Sequence, residues 1–129
     1  MLPSSGVSRC WGGTNYCTHL SLRRGQHFGK DDRGEPGAEK APADFEAQCA
    51  LTFANIGAAL ASQGADFSNL VEFTTYLVHS QDITKFMAYR TREFPKLFPN
   101  GAYPPNTLLV IDRLVQEQFL IEVSAVAAL

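Results

Sequence analysis

Two polar side chains near the C-terminal end have the types and surroundings that could support chemistry. Glu122 interrupts an otherwise apolar run, and Asn106 directly follows two prolines. An unpaired carboxylate kept from water is costly, so Glu122 either holds a water molecule for hydrolysis or pairs with a neighbouring group. Asn106 either donates its amide to a ligand or closes a turn beside the prolines. Arg24 is a third candidate, because alternation places it on the apolar side of a strand, although an arginine at a strand end is often solvated.

Alternating segments predict the strands that position these residues. Residues 16–24 and 70–79 alternate in the manner of half-buried strands. Two further strands are predicted at residues 106–114 and 119–126, separated by a polar turn. Between the first two strands, residues 25–43 are rich in Gly, Pro, Lys and Asp, which predicts a long loop.

Two helices are predicted between the strands. From Ala43 to Gln63, apolar residues recur on one helical face, and Gly64 is suited to end that helix. A second helix is expected to be capped by Ser80 or Asp82 and to end at Pro95. The order strand, helix, strand, helix, strand, strand predicts an α+β fold in which two helices cover one face of a mixed sheet.

The other face of that sheet needs a second covering layer. Residues 108–111 form a continuous apolar run, which is typical of a strand buried on both faces. A chain of 129 residues is long enough for one domain, here taken as residues 1–129, but two helices cannot cover both faces. We therefore expect an oligomer.

Composition argues against several classes of function. The chain has 11 Lys and Arg against 13 Asp and Glu and no basic stripe, so nucleic acid is not the expected main partner. Apolar stretches are too short for a membrane span, and the first residues lack the apolar core of a secretion signal, which predicts a cytoplasmic protein without a membrane partner. The three cysteines and three histidines show no metal-binding spacing, so no metal site is expected.

Four groups of residues carry a family resemblance when they are taken in order: Gly25-Gln26; Ala47-Gln48 with Asn55-Ile56; Val71-x-Phe73-Thr74-Thr75-Tyr76-Leu77; and Leu114 followed by Ile121-Glu122-Val123-Ser124-Ala125-Val126-Ala127. Together they resemble the RidA/YjgF family, whose members hydrolyse reactive enamines and imines. The resemblance covers about residues 25–129, whereas residues 1–15 do not resemble the family's N-terminus.

The resemblance implies a chorismate-mutase-like fold that assembles as a homotrimer with ligand clefts between subunits and needs no cofactor. In the family, an arginine binds the substrate carboxylate, while a glutamate and a backbone carbonyl hold the attacking water. The arginine position is Asn106 in this chain, the glutamate is Glu122 and the carbonyl belongs to Leu108. The same resemblance assigns to the cleft Thr107, Arg24, Gly25 and Gln26.

Asparagine at the arginine position leaves the reaction open. A guanidinium offers a fixed charge and two parallel donors to a carboxylate, whereas an amide offers only neutral donors. Arg24 could supply the missing charge from another strand. The leading hypothesis is a trimer that binds a small enamine or imine and hydrolyses it, and the alternative is a trimer that binds metabolites without catalysis. Ribonuclease or translation-inhibitor activity is disfavoured by the charge balance.

Overall fold

The alternating segments form one five-stranded sheet, and the two helical segments lie on one face of it. The computed structural model describes residues 42–128 in full and the backbone of residues 6–10 and 18–23. The strands are β1 (Gly6–Cys10), β2 (Thr18–Arg23), β3 (Leu70–Leu77), β4 (Asn106–Val110) and β5 (Ile121–Ala128). The helices are α1 (Phe45–Ala61) and α2 (Asp82–Leu97).

The sheet has the strand order β1-β2-β5-β3-β4 and is mixed. β2 runs parallel to β5 and β3 runs parallel to β4, while the β1–β2 and β3–β5 pairs are antiparallel. β3, α2 and β4 thus form a crossover unit that leaves β4 at a free edge of the described sheet. The α+β class and the two helices on one face of a mixed sheet are confirmed.

The hydrophobic core lies between the helices and the sheet. Phe73 and Leu77 of β3 are buried there together with every second residue of β5 from Ile121 to Ala127. The Phe53 ring of α1 contacts Phe73 with 6.2 Å between ring centroids, and the Phe94 ring of α2 contacts Phe73 at 5.8 Å. Because strand side chains alternate between faces, the intervening residues point to the face opposite the helices.

Gln48 joins α1 to the segment that leads into β5. Its side chain is fully buried and donates to the carbonyl oxygens of Pro42 and Gln118, each at 2.8 Å. It also accepts a hydrogen bond of 2.9 Å from the backbone N–H of Leu120. One amide therefore satisfies three backbone groups and fixes where β5 begins.

Several predicted boundaries are wrong by a few residues. β4 ends at Val110 instead of Leu114, and β5 begins at Ile121 instead of Phe119, because an irregular loop occupies the residues between them. Phe119 is nevertheless buried, in a small cluster with Leu114. An apolar side chain can thus be buried from a loop as well as from a strand.

The second helix also differs from its prediction at both ends. Its N-cap residue is Gln81, without a side-chain hydrogen bond, and Ser80 contributes its backbone carbonyl to Ile83 at 3.2 Å instead of its hydroxyl. Asp82 lies inside the helix, where its carboxylate pairs with Lys85 at 3.4 Å. The helix continues through Pro95 to Leu97, because a proline in the last turn removes only one helical hydrogen bond.

The N-terminal segment contributes a strand that the patterns did not resolve, since β1 pairs with β2 across all five of its residues. No helix among the described residues is long and apolar enough to cross a membrane. No group of His, Cys, Asp or Glu in the same residues could hold a metal ion.

Candidate ligand-binding site

Glu122 lies on the sheet face opposite the helices. Its neighbours Ile121 and Val123 are buried in the core between sheet and helices, so alternation directs Glu122 the other way. There it lines a cavity of about 320 Å³ together with Tyr76, Ser124, Ile111 and Leu114. A carboxylate, a phenol and a hydroxyl therefore border one opening, and such groups can hold and orient a water molecule.

The wall of this cavity is a loop that Arg113 holds in place. Its Nε donates to the carbonyl of Leu114 at 3.2 Å, and its guanidinium pairs with Glu117 at 3.5 Å. Because these bonds keep Arg113 within its own loop, it does not replace an arginine at the Asn106 position.

Asn106 begins β4 and faces the helix side of the sheet. The hydroxyl of Thr75, which is fully buried, donates to Asn106 Oδ1 at 3.0 Å. The amide is thereby oriented with its Nδ2 group turned away from Thr75. No described residue accepts a hydrogen bond from that group, so Asn106 can offer neutral N–H donors to a ligand.

The backbone of β4 presents further hydrogen-bonding groups along the free edge. The Phe73 N–H donates to the Pro105 carbonyl at 3.0 Å, and the Ile111 N–H donates to the Leu77 carbonyl at 2.8 Å. In a parallel ladder, the backbone N–H and C=O groups of every second residue bond to the partner strand. Pro105 and Ile111 bond to β3 in this way, so the backbone N–H and C=O groups of Leu108 point away from β3. The Leu108 side chain packs against the core, whereas Thr107 is exposed.

Asn106 and Glu122 lie on opposite faces of the sheet. Strand β3 lies between β4 and β5. Glu122 of β5 pairs in register with Tyr76 of β3, and Tyr76 pairs on its other side with Leu109 of β4. Two strand spacings amount to about 10 Å, and the residues are also offset along the strands. One chain therefore does not bring both side chains to the same small ligand.

Arg24, Gly25 and Gln26 lie outside the described residues, and their assignment to the cleft stays a prediction. Tyr76 and Ser124 were not assigned to the site from the sequence. Their position beside Glu122 depends on strand register, since Tyr76 pairs with Glu122 and Thr74 with Ser124. Alternation alone indicates the face of each residue within its own strand, and the partner strand is not visible in that pattern.

Cys49 is not a nucleophile for this site. Its side chain is fully buried on α1. Burial, reinforced by the negative charge of Glu46, raises the pKa of the thiol to about 12. The thiol is therefore neutral near pH 7, and thiolate chemistry there is disfavoured.

The fold and the sites define a class: a small α+β domain with one open sheet face and a polar cavity on it. The family model described as Endoribonuclease L-PSP matches residues 27–129. The chain therefore belongs to this family, which is the YjgF/RidA family. A comparison with functionally curated proteins gives no significant match.

Solved structures from bacteria share the fold. The chain is similar to the YjgF gene product of E. coli, with 24% identity, a TM-score of 0.61, and coverage of 69% of this chain and 67% of that one. E. coli TdcF with bound serine gives 20% identity, a TM-score of 0.61 and the same coverages, 69% and 67%. Protein PA3499 of Pseudomonas aeruginosa, described as of unknown function, gives 26% identity and a TM-score of 0.56, over 70% of this chain and 60% of that one.

Proposed function

We propose that the protein is a homotrimer that binds a small enamine or imine between its subunits and hydrolyses it to a carbonyl compound and ammonia. The observation that carries this proposal is the cavity on the open sheet face, where Glu122 lies beside Tyr76 and Ser124. Family membership supports the same reading. E. coli TdcF, which shares the fold, holds bound serine, a compound of comparable size.

The opposite orientations of Glu122 and Asn106 support a site made by two chains. If the open face of one subunit approaches the β4 edge of the next, Glu122 of one chain and Asn106 of the other border the same cleft. The outward N–H and C=O of Leu108 then lie in that cleft as well. Thr107 is also on β4, and Arg24, Gly25 and Gln26 are assigned to the cleft by the family resemblance.

The chemistry needs only water and the groups of this site. Glu122 accepts a hydrogen bond from a water molecule and takes its proton as the oxygen attacks the C=N carbon. Glu122 passes this proton to the nitrogen, which gives a carbinolamine, and then transfers the hydroxyl proton to the nitrogen in the same way. The C–N bond breaks, the water oxygen becomes the carbonyl oxygen, and the nitrogen leaves as ammonia. The outward Leu108 carbonyl accepts the second hydrogen bond of the water.

The alternative is a trimer that binds the same class of metabolite without turnover. It is favoured by the amide at Asn106, which supplies no charge to hold a carboxylate substrate in place. The description of the family model names an endoribonuclease. An RNA-directed activity predicts RNA binding that weakens steeply with salt, and the near-neutral charge of the chain argues against it.

The experiment is an assay of ammonia release from a panel of freshly generated imines, both neutral and carboxylate-bearing. We expect at least one imine to be hydrolysed above the uncatalysed rate, with a loss of about 100-fold in the Glu122→Gln variant. Glu93→Gln, on α2 at the opposite side of the sheet from the cavity, is the matched control and should keep full activity. No release from any imine, together with saturable binding of the corresponding carbonyl compounds, would establish the non-catalytic alternative.

A further inference from the structure

Tyr76 lies directly across from Glu122 on the sheet face opposite the helices. The two residues are partners in the antiparallel pairing of β3 with β5, and both line the cavity of about 320 Å³. Side chains at such positions point to the same face, with Cβ atoms about 5 Å apart. One small molecule in the cavity can therefore contact the phenol and the carboxylate at the same time.

Packing holds the Tyr76 ring but leaves its hydroxyl available. The half-buried ring packs against the small apolar cluster of Leu114 and Phe119. No described residue forms a hydrogen bond with the Tyr76 hydroxyl. A phenol can both donate and accept a hydrogen bond, and a packed ring fixes where its oxygen lies. Tyr76 is therefore suited to donate a hydrogen bond to a molecule bound in the cavity.

The rest of the cavity lining determines which ligands fit. Ile111 and Leu114 form its apolar part, and Ser124 adds a hydroxyl. Among the described residues that border the cavity, Glu122 is the one charged group. A ligand carboxylate inside the cavity would lie beside a second negative charge, which is unfavourable. The cavity therefore favours an uncharged group over an anionic one.

We propose that Tyr76 is a catalytic residue that donates a hydrogen bond to the nitrogen of a neutral imine, whose apolar substituents lie against Ile111 and Leu114. This inference rests on the proposed imine hydrolysis at Glu122 and specifies its substrate class. The hydrogen bond draws electron density from the C=N carbon, and it strengthens as the nitrogen gains negative charge during attack by water. Tyr76 keeps its own proton, because Glu122 carries the protons from water to nitrogen.

The test is the steady-state hydrolysis of the imine of 2-butanone, prepared in dry solvent and mixed rapidly with the protein, with ammonia release as the readout. In Tyr76→Phe, kcat should fall by about 10- to 100-fold, as expected for a hydrogen bond to a group that becomes charged. KM should change by less than about twofold, because the lost interaction is made mainly in the transition state.

Two controls separate catalysis by Tyr76 from a structural role. Phenylalanine at position 76 keeps the ring against Leu114 and Phe119, so the urea midpoint of Tyr76→Phe should match wild type. Tyr89→Phe removes the same hydroxyl from a buried tyrosine on α2, whose ring stacks on Phe53 at 5.8 Å between centroids. This variant should keep the wild-type kcat, since Tyr89 lies on the other side of the sheet.

The substrate class is tested with 2-iminobutanoate, in which a carboxylate replaces one carbon substituent of the 2-butanone imine. Wild type should hydrolyse it with a kcat/KM at least about tenfold lower than that of the neutral imine, because its charge lies near Glu122. An equal or higher kcat/KM for 2-iminobutanoate would overturn the neutral substrate class.

A wild-type kcat in Tyr76→Phe would overturn the catalytic role and leave Tyr76 as a packing residue of the cavity wall. In either case, Glu122-dependent hydrolysis and the proposed function would survive. If wild type hydrolyses neither imine nor any other member of the panel, the proposed function and this inference are both wrong.

Discussion

At the scale of single residues, we propose that Asn106 determines how the β4 edge binds a ligand. Thr75 holds the amide by its oxygen, which leaves its neutral N–H donors without an acceptor among the described residues. The sequence indicated both Asn106 and Glu122 as candidates, because an amide after two prolines and a carboxylate in an apolar strand are unusual. It could not indicate that they face opposite sides of the sheet, since that follows from the pairing of β3 with both strands.

The first prediction concerns the charge at Asn106. Wild type should hydrolyse 2-iminopropionate weakly, because a neutral amide holds a carboxylate less strongly than a guanidinium does. Asn106→Arg should raise kcat/KM by about one to two orders of magnitude, which corresponds to the stronger hydrogen bonds of a charged donor. Steady-state ammonia release measures both. A wild-type rate that Asn106→Arg does not increase would contradict this account of the position.

The second prediction concerns pH and Cys49. Because burial raises the pKa of this thiol from 9.0 to about 12 in the folded state, the folded protein retains its proton where the unfolded chain loses it. The free energy of unfolding should therefore fall as pH rises above about 9, by up to about 1.4 kcal/mol per unit from this group. Urea unfolding at about pH 8 and pH 10 measures the fall.

The matched control for that experiment is Cys49→Ala, in which the fall should be smaller. The free energy of unfolding of this variant should still fall in part as pH rises, because burial raises the pKa of the Tyr89 phenol to about 12 as well. In a Cys10→Ser, Cys17→Ser background, Cys49 should react with a thiol reagent only when the protein unfolds. Rapid reaction of the folded protein at pH 8 would show that the thiol is accessible and ionised.

At the scale of elements, the predictions succeeded where one pattern dominates and failed where elements end. The apolar face of α1 and the alternation of β3 are present as expected, with the exception of Val71, which is 50% exposed beside a bulge. The ends of β4 and β5 were missed because the loop between them buries Leu114 and Phe119 in its own cluster. The bonds of Gln48 explain why β5 begins where it does, and no periodicity shows them.

The third prediction concerns that glutamine. Gln48→Leu fills similar space but leaves the Pro42 and Gln118 carbonyls and the Leu120 N–H without their partner. The free energy of unfolding should fall by about 2 to 4 kcal/mol, as expected for buried polar groups left unsatisfied. Chemical denaturation measures it, with Gln63→Leu at the end of α1 as the control that should change little. A fall below about 0.5 kcal/mol would show that water replaces the amide.

At the scale of the whole molecule, the described chain has a layer of helices on only one side of its sheet. On the other side, Leu109 is 44% exposed and Glu122 lines an open cavity. The apolar run at residues 108–111 predicted burial on both faces. Among the described residues Leu109 and Val110 stay exposed, and we propose that another molecule covers them. A second copy of the chain is the occupant that the family resemblance implies, with the ligand between the copies.

The fourth prediction is therefore a homotrimer whose interface includes the open face. Sedimentation equilibrium should give a trimer for wild type and a monomer for Leu109→Asp, because a carboxylate buried in an apolar contact is costly. Ala58→Asp, on the exposed side of α1, carries the same added charge and should remain trimeric. A stable wild-type monomer at micromolar concentration would remove the basis for a cleft between subunits.

The most direct test of the central claim is subunit complementation, since the account requires Glu122 and Asn106 to come from different chains. Glu122→Gln and Asn106→Leu chains, each expected to be nearly inactive alone, are coexpressed with different tags, and mixed trimers are isolated by two affinity steps. Cyclic symmetry leaves one cleft in each mixed trimer with both native residues, so ammonia release should recover to about one third of wild type. Mixed trimers no more active than the average of the two parents would contradict the claim and place the site within a single chain.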